Sequence, residues 1–452
     1  MERKRMLRLA SLLAAGAAVL SACGGTAATP TTATSSTPGS APNGSSGEKL
    51  TGKIDFQVFG DPAELAAFRA VVDGFKTVQP DATVNIVHVP AQTDHMTKLS
   101  AAFASGSPPD VFIINYRRYG QYASKGVIEP AGPLMEKSAS IKESDYYPQA
   151  LDAFRYKGTL MCVPQNISNL VVYYNIDLFA ANNVAEPAAD WTWDDFLATA
   201  QGLTKDTNGD GVNDTHGVGV DPELIRLAPF VWANGGDIVD NPDKPTRLTL
   251  DTPEAREALQ WFVDLQRVYK VAPNEPEAKA EHIESRFMNG RLSMVLASRA
   301  STPSFREIEG FEWDVAPLPM RKEKATILHS DAYCMAASSQ NKELAWAFVE
   351  YAQGPDGQTR AAGLGRTVPS RKDIAQSDVF LKAMEPPASS TVFLDMIPHM
   401  QLVPIISTWP QVEGVVNEEL ERAFYGVITV DEAISLATEQ TNRLFAEAET
   451  AK

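Results

Sequence analysis

From residue 50 onward, apolar and polar positions follow two alternating periods. Ile54, Phe56 and Val58 recur at every second position, the spacing of a strand with one buried face. Phe59-Gly60-Asp61-Pro62 then supplies a turn, an N-cap and a first helical position. Leu65, Phe68, Val72, Phe75 and Val78 follow at helical spacing, and Gln79-Pro80-Asp81 closes that helix. A second strand is predicted over Thr83 to Val89 and a helix around Asp94 to Ala104. The unbroken apolar run Val111-Phe112-Ile113-Ile114 predicts a third strand, of the kind buried on both faces of a parallel sheet. Strand, helix, strand, helix, strand predicts an α/β fold with a doubly wound sheet, which takes ligands at the carboxyl ends of its strands. Those ends are Phe59-Gly60-Asp61, Pro90 to Asp94 and Asn115-Tyr116-Arg117-Arg118. The chain contains no internal repeat.

The first fifty residues follow other rules. Arg3, Lys4, Arg5 and Arg8 precede the apolar run Leu9 to Leu20, which is too short to span a bilayer, so residues 1–22 read as a signal peptide. Leu20-Ser21-Ala22-Cys23 resembles the lipobox of bacterial lipoproteins, which implies that Cys23 receives lipid and opens the mature chain. Residues 23–49 are almost wholly small or polar and bury too little surface to offset their chain entropy; they are expected to form a flexible tether. The protein is therefore expected to be anchored by lipid at the extracytoplasmic face of a bacterial cell membrane, with a functional body over roughly 50–452.

Composition narrows the function classes. A formal charge of −17, from 40 Lys+Arg against 57 Asp+Glu, argues against nucleic-acid binding and against a basic patch on anionic lipid. No G-x-S-x-G, H-E-x-x-H, G-x-x-x-x-G-K or C-x-x-C occurs, and the six histidines do not fall at metal-ligand spacing. Plentiful carboxylates leave a two-carboxylate glycosidase open on residue type alone.

Gly106-Ser107-Pro108-Pro109-Asp110-Val111 and Gly126-Val127-Ile128-Glu129-Pro130 resemble the extracellular solute-binding proteins of the maltose-binding-protein kind. So do Tyr156-Lys157-Gly158-Thr159-Leu160 through Tyr173-Tyr174-Asn175, Trp191-Thr192-Trp193-Asp194-Asp195-Phe196, Asn234-Gly235-Gly236, Phe287-Met288-Asn289-Gly290, Asn341 to Trp346 and Val430 to Ala433. The similarity runs in one order over nearly all of 50–450. It implies a non-catalytic, monomeric receptor that closes two α/β lobes over a carbohydrate and serves the permease of an ABC importer. The first lobe would take 50–164 and about 332–365, the second about 165–331 and 366–452. A phosphorylated sugar, a glycerol-phosphate-type solute, an amino acid or a polyamine is the alternative ligand.

A sugar site needs planar polar side chains and aromatic platforms. On the first lobe the resemblance points to Asn115, Tyr116, Arg117 and Arg118; Asp94 lies at another strand end, and Asp61 either caps its helix or accepts a sugar hydroxyl. Gln165, Asn166, Ser168 and Asn169 are assigned to the site because a structural turn does not require so many amides. On the second lobe Trp232, Asn234 and Gly236 form an aromatic-then-glycine turn, the other reading being a core tryptophan before a C-cap. Ser298 and Arg299 follow a strand where the family often continues Gly-x-Trp, but this chain has Ala300. Asp331 falls at the second hinge, and Arg366 and Trp409 complete the set, with Pro410 placing Trp409 in a loop. Arg117 and Arg118 keep an acidic or phosphorylated sugar open.

No cofactor is required by this reading. Asp206, Asn208, Asp210 and Asp214, with Gly211 at position 6, resemble the start of an EF-hand-type loop and suggest a structural calcium, although position 12 is Gly217. An Asx/Gly turn explains the same residues. Cys162 and Cys334 lie beside the two hinge strands. They either cross-link or stay as two buried thiols, the latter being expected because free cysteine is commonly buried.

Overall fold

The computed structural model describes residues 49–382 and 384–450; the signal sequence, Cys23 and the tether lie outside the described residues. The first sheet opens with β1 (Gly52–Phe59), β2 (Ala82–Val89), β3 (Val111–Asn115) and β4 (Ile128–Glu129). β1 runs parallel to both β2 and β3, as the strand–helix alternation predicts. The connecting helix Pro62–Val78 begins on Asp61 as its cap. A small hairpin, β5 (Arg155–Tyr156) and β6 (Thr159–Leu160), leads to β7 (Val163–Pro164). The chain then enters the second sheet through β8 (Ser168–Asn175), all eight residues of which are buried. That sheet adds β9 (His216–Gly219), β10 (Leu292–Ser298), β11 (Trp313–Ala316) and β12 (Thr326–His329). From β12 the chain returns to the first sheet as β13 (Asp331–Ala336), and β14 (Met400–Gln401) later pairs with β12.

The sheet orders are β2-β1-β3-β13-β4 with β7 on β13, and β14-β12-β8-β10-β9 with β11 on β8. β13 is antiparallel to β3, pairing Asp331 with Asn115 and Cys334 with Phe112. The first core therefore needs residues from two distant parts of the chain. The Phe56 ring from β1 stacks on Tyr333 of β13 at 5.2 Å and meets Phe68 and Phe348 edge-on at 5.5 and 5.0 Å. Phe348 belongs to the helix Lys342–Gln353, which covers the same face as the helix Pro62–Val78. In the second half, Trp193 stacks on Trp261 at 4.5 Å, joining the helices Trp193–Leu203 and Pro253–Arg267.

Cys162 and Cys334 are bonded, with their Cα atoms 4.6 Å apart, which corrects the expectation of free thiols. The cause is register. β7 and β13 are antiparallel with Val163 opposite Tyr333, so the next pair outward is 162 with 334. A non-hydrogen-bonded antiparallel pair brings its Cα atoms to about 4.5 Å, within disulfide reach.

Candidate functional site

Three passes of the chain between the sheets lie side by side. The first is Gln165–Ile167 between β7 and β8, the second Ser330 between β12 and β13, and the third the stretch 366–371. Asn166 ties the first to the second: its Oδ1 accepts from the Asp331 backbone N–H at 2.7 Å, and its carbonyl accepts from Ser330 Oγ at 2.6 Å. The Gln165 N–H donates to the Asp331 carbonyl at 2.8 Å and the Ile167 N–H to the Val368 carbonyl at 2.9 Å. Ser168 Oγ accepts from the Arg299 N–H at 3.1 Å, and Asn169 Nδ2 donates to the Phe393 carbonyl at 2.9 Å. Asn166, Ser168 and Asn169 thus have a structural use here, satisfying backbone groups where sheet pairing changes partner, while Gln165 Oε1 and Asn169 Oδ1 are buried without a protein partner.

Asp61 takes the capping role and adds an ion pair. One carboxylate oxygen caps its helix by accepting from the Glu64 N–H at 2.9 Å, and the other takes Arg366 Nη1 at 2.6 Å. Arg366 also reaches Glu64 at 2.9 Å and the Ala300 carbonyl at 2.9 Å, so it joins the first helix to the end of β10. Burial pushes the Glu64 carboxyl up to about 7 against the pull of Arg366. Gly60, at φ +119°, makes room for it: a Cβ there would lie 1.9 Å from Glu64 Oε2. Beside this group, Asn115 caps the helix Tyr116–Ala123 and donates to Asp331 Oδ1 at 3.0 Å. Burial raises the Asp331 carboxyl, opposed by that bond and by Arg366.

Several predicted site residues occupy structural positions instead. Arg299 is fully buried, donating to the Gly365 carbonyl at 2.9 Å and Ser390 Oγ at 3.2 Å with Phe380 and Phe393 against its guanidinium. Burial lowers it to about 10, so it stays charged at neutral pH. The Ser298 carbonyl accepts from the Tyr173 hydroxyl at 3.0 Å. Trp232 is a core residue whose Nε1 donates to Asp237 at 3.3 Å, and Asn234 is the C-cap of its helix, donating to the Glu254 carbonyl at 2.9 Å. Gly235 supplies the positive φ of that turn, and Gly236 lets the helix Pro253–Arg267 approach, since a Cβ would meet the Ala255 nitrogen at 3.0 Å. The turn-and-core reading accounts for all three. Tyr116 is core as well, and Asp94 is exposed on the first turn of its helix. Trp409 stands at the first position of the helix Trp409–Phe424 and is fully buried, not in a loop; Pro410 serves as an early helical residue.

Trp409 nonetheless leads to a second interior. Glu413, one turn along the same helix face, pairs with Arg117 at 2.5 Å and with Arg118 at 3.6 Å. Asn417, one turn further, accepts from the Leu224 N–H at 2.7 Å and so seats the helix Leu224–Ala233, which carries Arg226 and packs against β12 with His329 at its end. Burial opposes the charge of Arg117, but Glu413, Tyr116 and Glu223 together hold it above its ordinary value. Burial, with Arg226 and Arg117 nearby, holds the His329 imidazole well below its ordinary value and therefore neutral. Arg226 Nε and Nη1, Arg117 Nε, His329 Nε2, Trp409 Nε1 and Glu413 Oε2 are all buried without a protein partner. Sequence reasoning named Arg117, Arg118 and Trp409 but missed Glu64, Glu223, Arg226, His329 and Glu413. Only Glu413 carried a usable signal, its spacing of four from Trp409.

The acidic loop closes on itself. Asp206 accepts from the N–H groups of Gly209 and Gly211 at 2.7 and 2.8 Å, and Asn208 and Asp210 accept from those of Asp210 and Val212, both at 2.8 Å. Asp214 accepts from the Thr207 N–H at 2.7 Å. These are Asx turns, and among the described residues no group of three or more His, Cys, Asp or Glu side chains is placed to hold a metal ion. A separate groove of about 840 Å³ lies between Tyr156-Lys157, Pro242 to Pro245 and Val403 to Ile406; none of the predicted site residues lines it.

Residues 70–387 match the family model for bacterial extracellular solute-binding proteins. The chain belongs to that family. This is a family of binding proteins that work outside the cytoplasm, and the two-lobed fold agrees with it. An ABC substrate-binding protein of Listeria monocytogenes, solved with cycloalternan, superposes with a TM-score of 0.80 at 28% identity over 88% of this chain and 100% of that one. The maltotriose-binding protein of Pyrococcus abyssi is 26% identical over 64% of this chain and 60% of its own. The sn-glycerol-3-phosphate-binding periplasmic protein of Escherichia coli is 22% identical over 76% and 81%.

Proposed function

We propose that this protein captures a carbohydrate between its two lobes outside the cytoplasm and delivers it to an ABC importer, held to the membrane by lipid on Cys23. The carrying observation is the interior that Arg117 shares with Arg226, His329, Trp409 and Glu413. It draws on elements of both sheets and holds buried hydrogen-bonding atoms that a ligand would satisfy. A ligand touching both lobes favours the state in which they are together. The maltotriose and cycloalternan of two relatives support a saccharide.

A thermal-shift screen of the purified protein against mono- and oligosaccharides, sugar phosphates and polyamines tests this. A ligand at ~100 times its Kd stabilises the native state by about 2.7 kcal/mol, a rise of several degrees in Tm. A rise with saccharides is the expected result, and a rise with polyamines alone overturns it. For the anchor, Cys23→Ala is expected to move the protein from the detergent phase to the aqueous phase on partitioning; unchanged partitioning rejects the lipid.

A further inference from the structure

We infer that the interior around Arg117, Arg226, His329 and Glu413 selects a neutral polyhydroxylated ligand and rejects phosphate esters. This rests on the solute-capture reading above and settles which of the two ligand chemistries among its relatives the site suits.

Three arginines meet here, and two of them are held by one carboxylate. Glu413 binds Arg117 and Arg118 through one oxygen, and Glu223 lies within the field of Arg226, Arg117 and Glu413. Asp331 adds a third carboxylate close enough to act on Arg117. His329 is neutral. Arg117 and Arg118 are thus held by Glu413 with two further carboxylates nearby, and a phosphate monoester would bring up to two more negative charges beside them.

The unsatisfied atoms include an acceptor that a phosphate cradle would not have. Arg226 Nε and Nη1, Arg117 Nε and Trp409 Nε1 are donors, whereas Glu413 Oε2 is an acceptor on a side chain only 6% exposed. A fully ionised phosphate group has no hydrogen to give that oxygen and would face it with its own lone pairs. A sugar hydroxyl both donates and accepts, so a row of hydroxyls answers donors and acceptor together. Leaving such buried atoms unpaired costs free energy that the matching ligand recovers.

The test is calorimetry on the purified full chain with maltose, maltotriose, glycerol 3-phosphate, glycerophosphocholine and glucose 6-phosphate, for wild type, Glu413→Gln and Arg226→Gln. Wild type is expected to bind a neutral saccharide and none of the phosphate compounds. Arg226→Gln, which removes donors that have no protein partner and so should fold, is expected to weaken the saccharide at least about tenfold. Glu413→Gln is expected to weaken it too and to admit a phosphate compound by releasing Arg117 and Arg118. Tighter wild-type binding of a phosphate compound than of any saccharide overturns this inference and leaves solute capture intact. Unchanged saccharide affinity in a folded Arg226→Gln overturns the assignment of this interior. Silence of wild type toward both classes rejects the carbohydrate reading itself.

Discussion

Glu64 and His95 are buried ionisable side chains whose protonation works in opposite directions. His95 donates from Nε2 to the Ile113 carbonyl at 2.9 Å, with Gln57 at 3.3 Å from Nδ1, and burial lowers its imidazole from 6.5 to about 4. As pH falls through that window the unfolded chain takes up a proton that the folded chain refuses, so stability is lost on acidification. Glu64 is raised from 4.5 to about 7, so the folded chain takes up its proton first and stability is gained as pH falls from 7 to 4.5. Each amounts to about 3 kcal/mol, and in wild type the two largely cancel. Glu64→Gln removes one side of the balance. Urea unfolding should show this variant losing about 2 kcal/mol more than wild type between pH 7 and pH 5; equal losses would mean that Glu64 does not change protonation there. Neither residue announced itself in the sequence, because a glutamate in a first turn and a histidine in a helix are ordinarily solvated, and only burial makes them exceptional.

At the scale of elements, the helix Tyr116–Ala123 shows what pattern reading captures and what it leaves. Its start after an apolar strand was legible, and with it Asn115 to Arg118. Its closeness to the segment 403–406 was not: a Cβ on Gly120 would lie 2.8 Å from the Ile406 carbonyl, and the Tyr116 hydroxyl accepts from the Val403 N–H at 3.4 Å. Gly120→Ala should cost about 1–3 kcal/mol in denaturant unfolding through overpacking, and a wild-type midpoint would show that the segment gives way. The loop Asp206–Asp214 makes the complementary case. Residue type and spacing suggested calcium, but its oxygens are used by the loop's own N–H groups. Calcium against chelator should move Tm by less than about a degree, since a ligand that binds the native state stabilises it; a larger rise would restore the metal.

At the scale of the whole molecule, β13 and the Cys162–Cys334 bond close a long excursion through the second sheet. The bond spans 172 residues; the chain-entropy estimate for a loop of that length is about 5 kcal/mol. Differential scanning calorimetry should find Tm lowered by roughly 10 °C or more in Cys162→Ser/Cys334→Ser, and a fall under about 2 °C would mean that the bond constrains little. Thiol titration of the denatured, unreduced protein should find neither cysteine free. The expectation of two thiols failed because a disulfide depends on the distance between strands far apart in sequence, which no local pattern carries.

The local patterns determined the first strands and helices, the capped helix starts and the α/β class, because a side chain's preference for burial and a cap's hydrogen bond are decided within a few residues. Family resemblance extended this to the two-lobed arrangement. Tertiary structure alone decided which polar residues are free to meet a ligand. Asn169, Arg299 and Asn234 have the composition of a sugar site, yet they donate to neighbouring backbone and side chains. Arg226, His329 and Glu413 look like ordinary surface residues, yet two distant helices and the end of β12 enclose them. A hydrogen bond is a property of two groups in space, and its second partner is set by the fold.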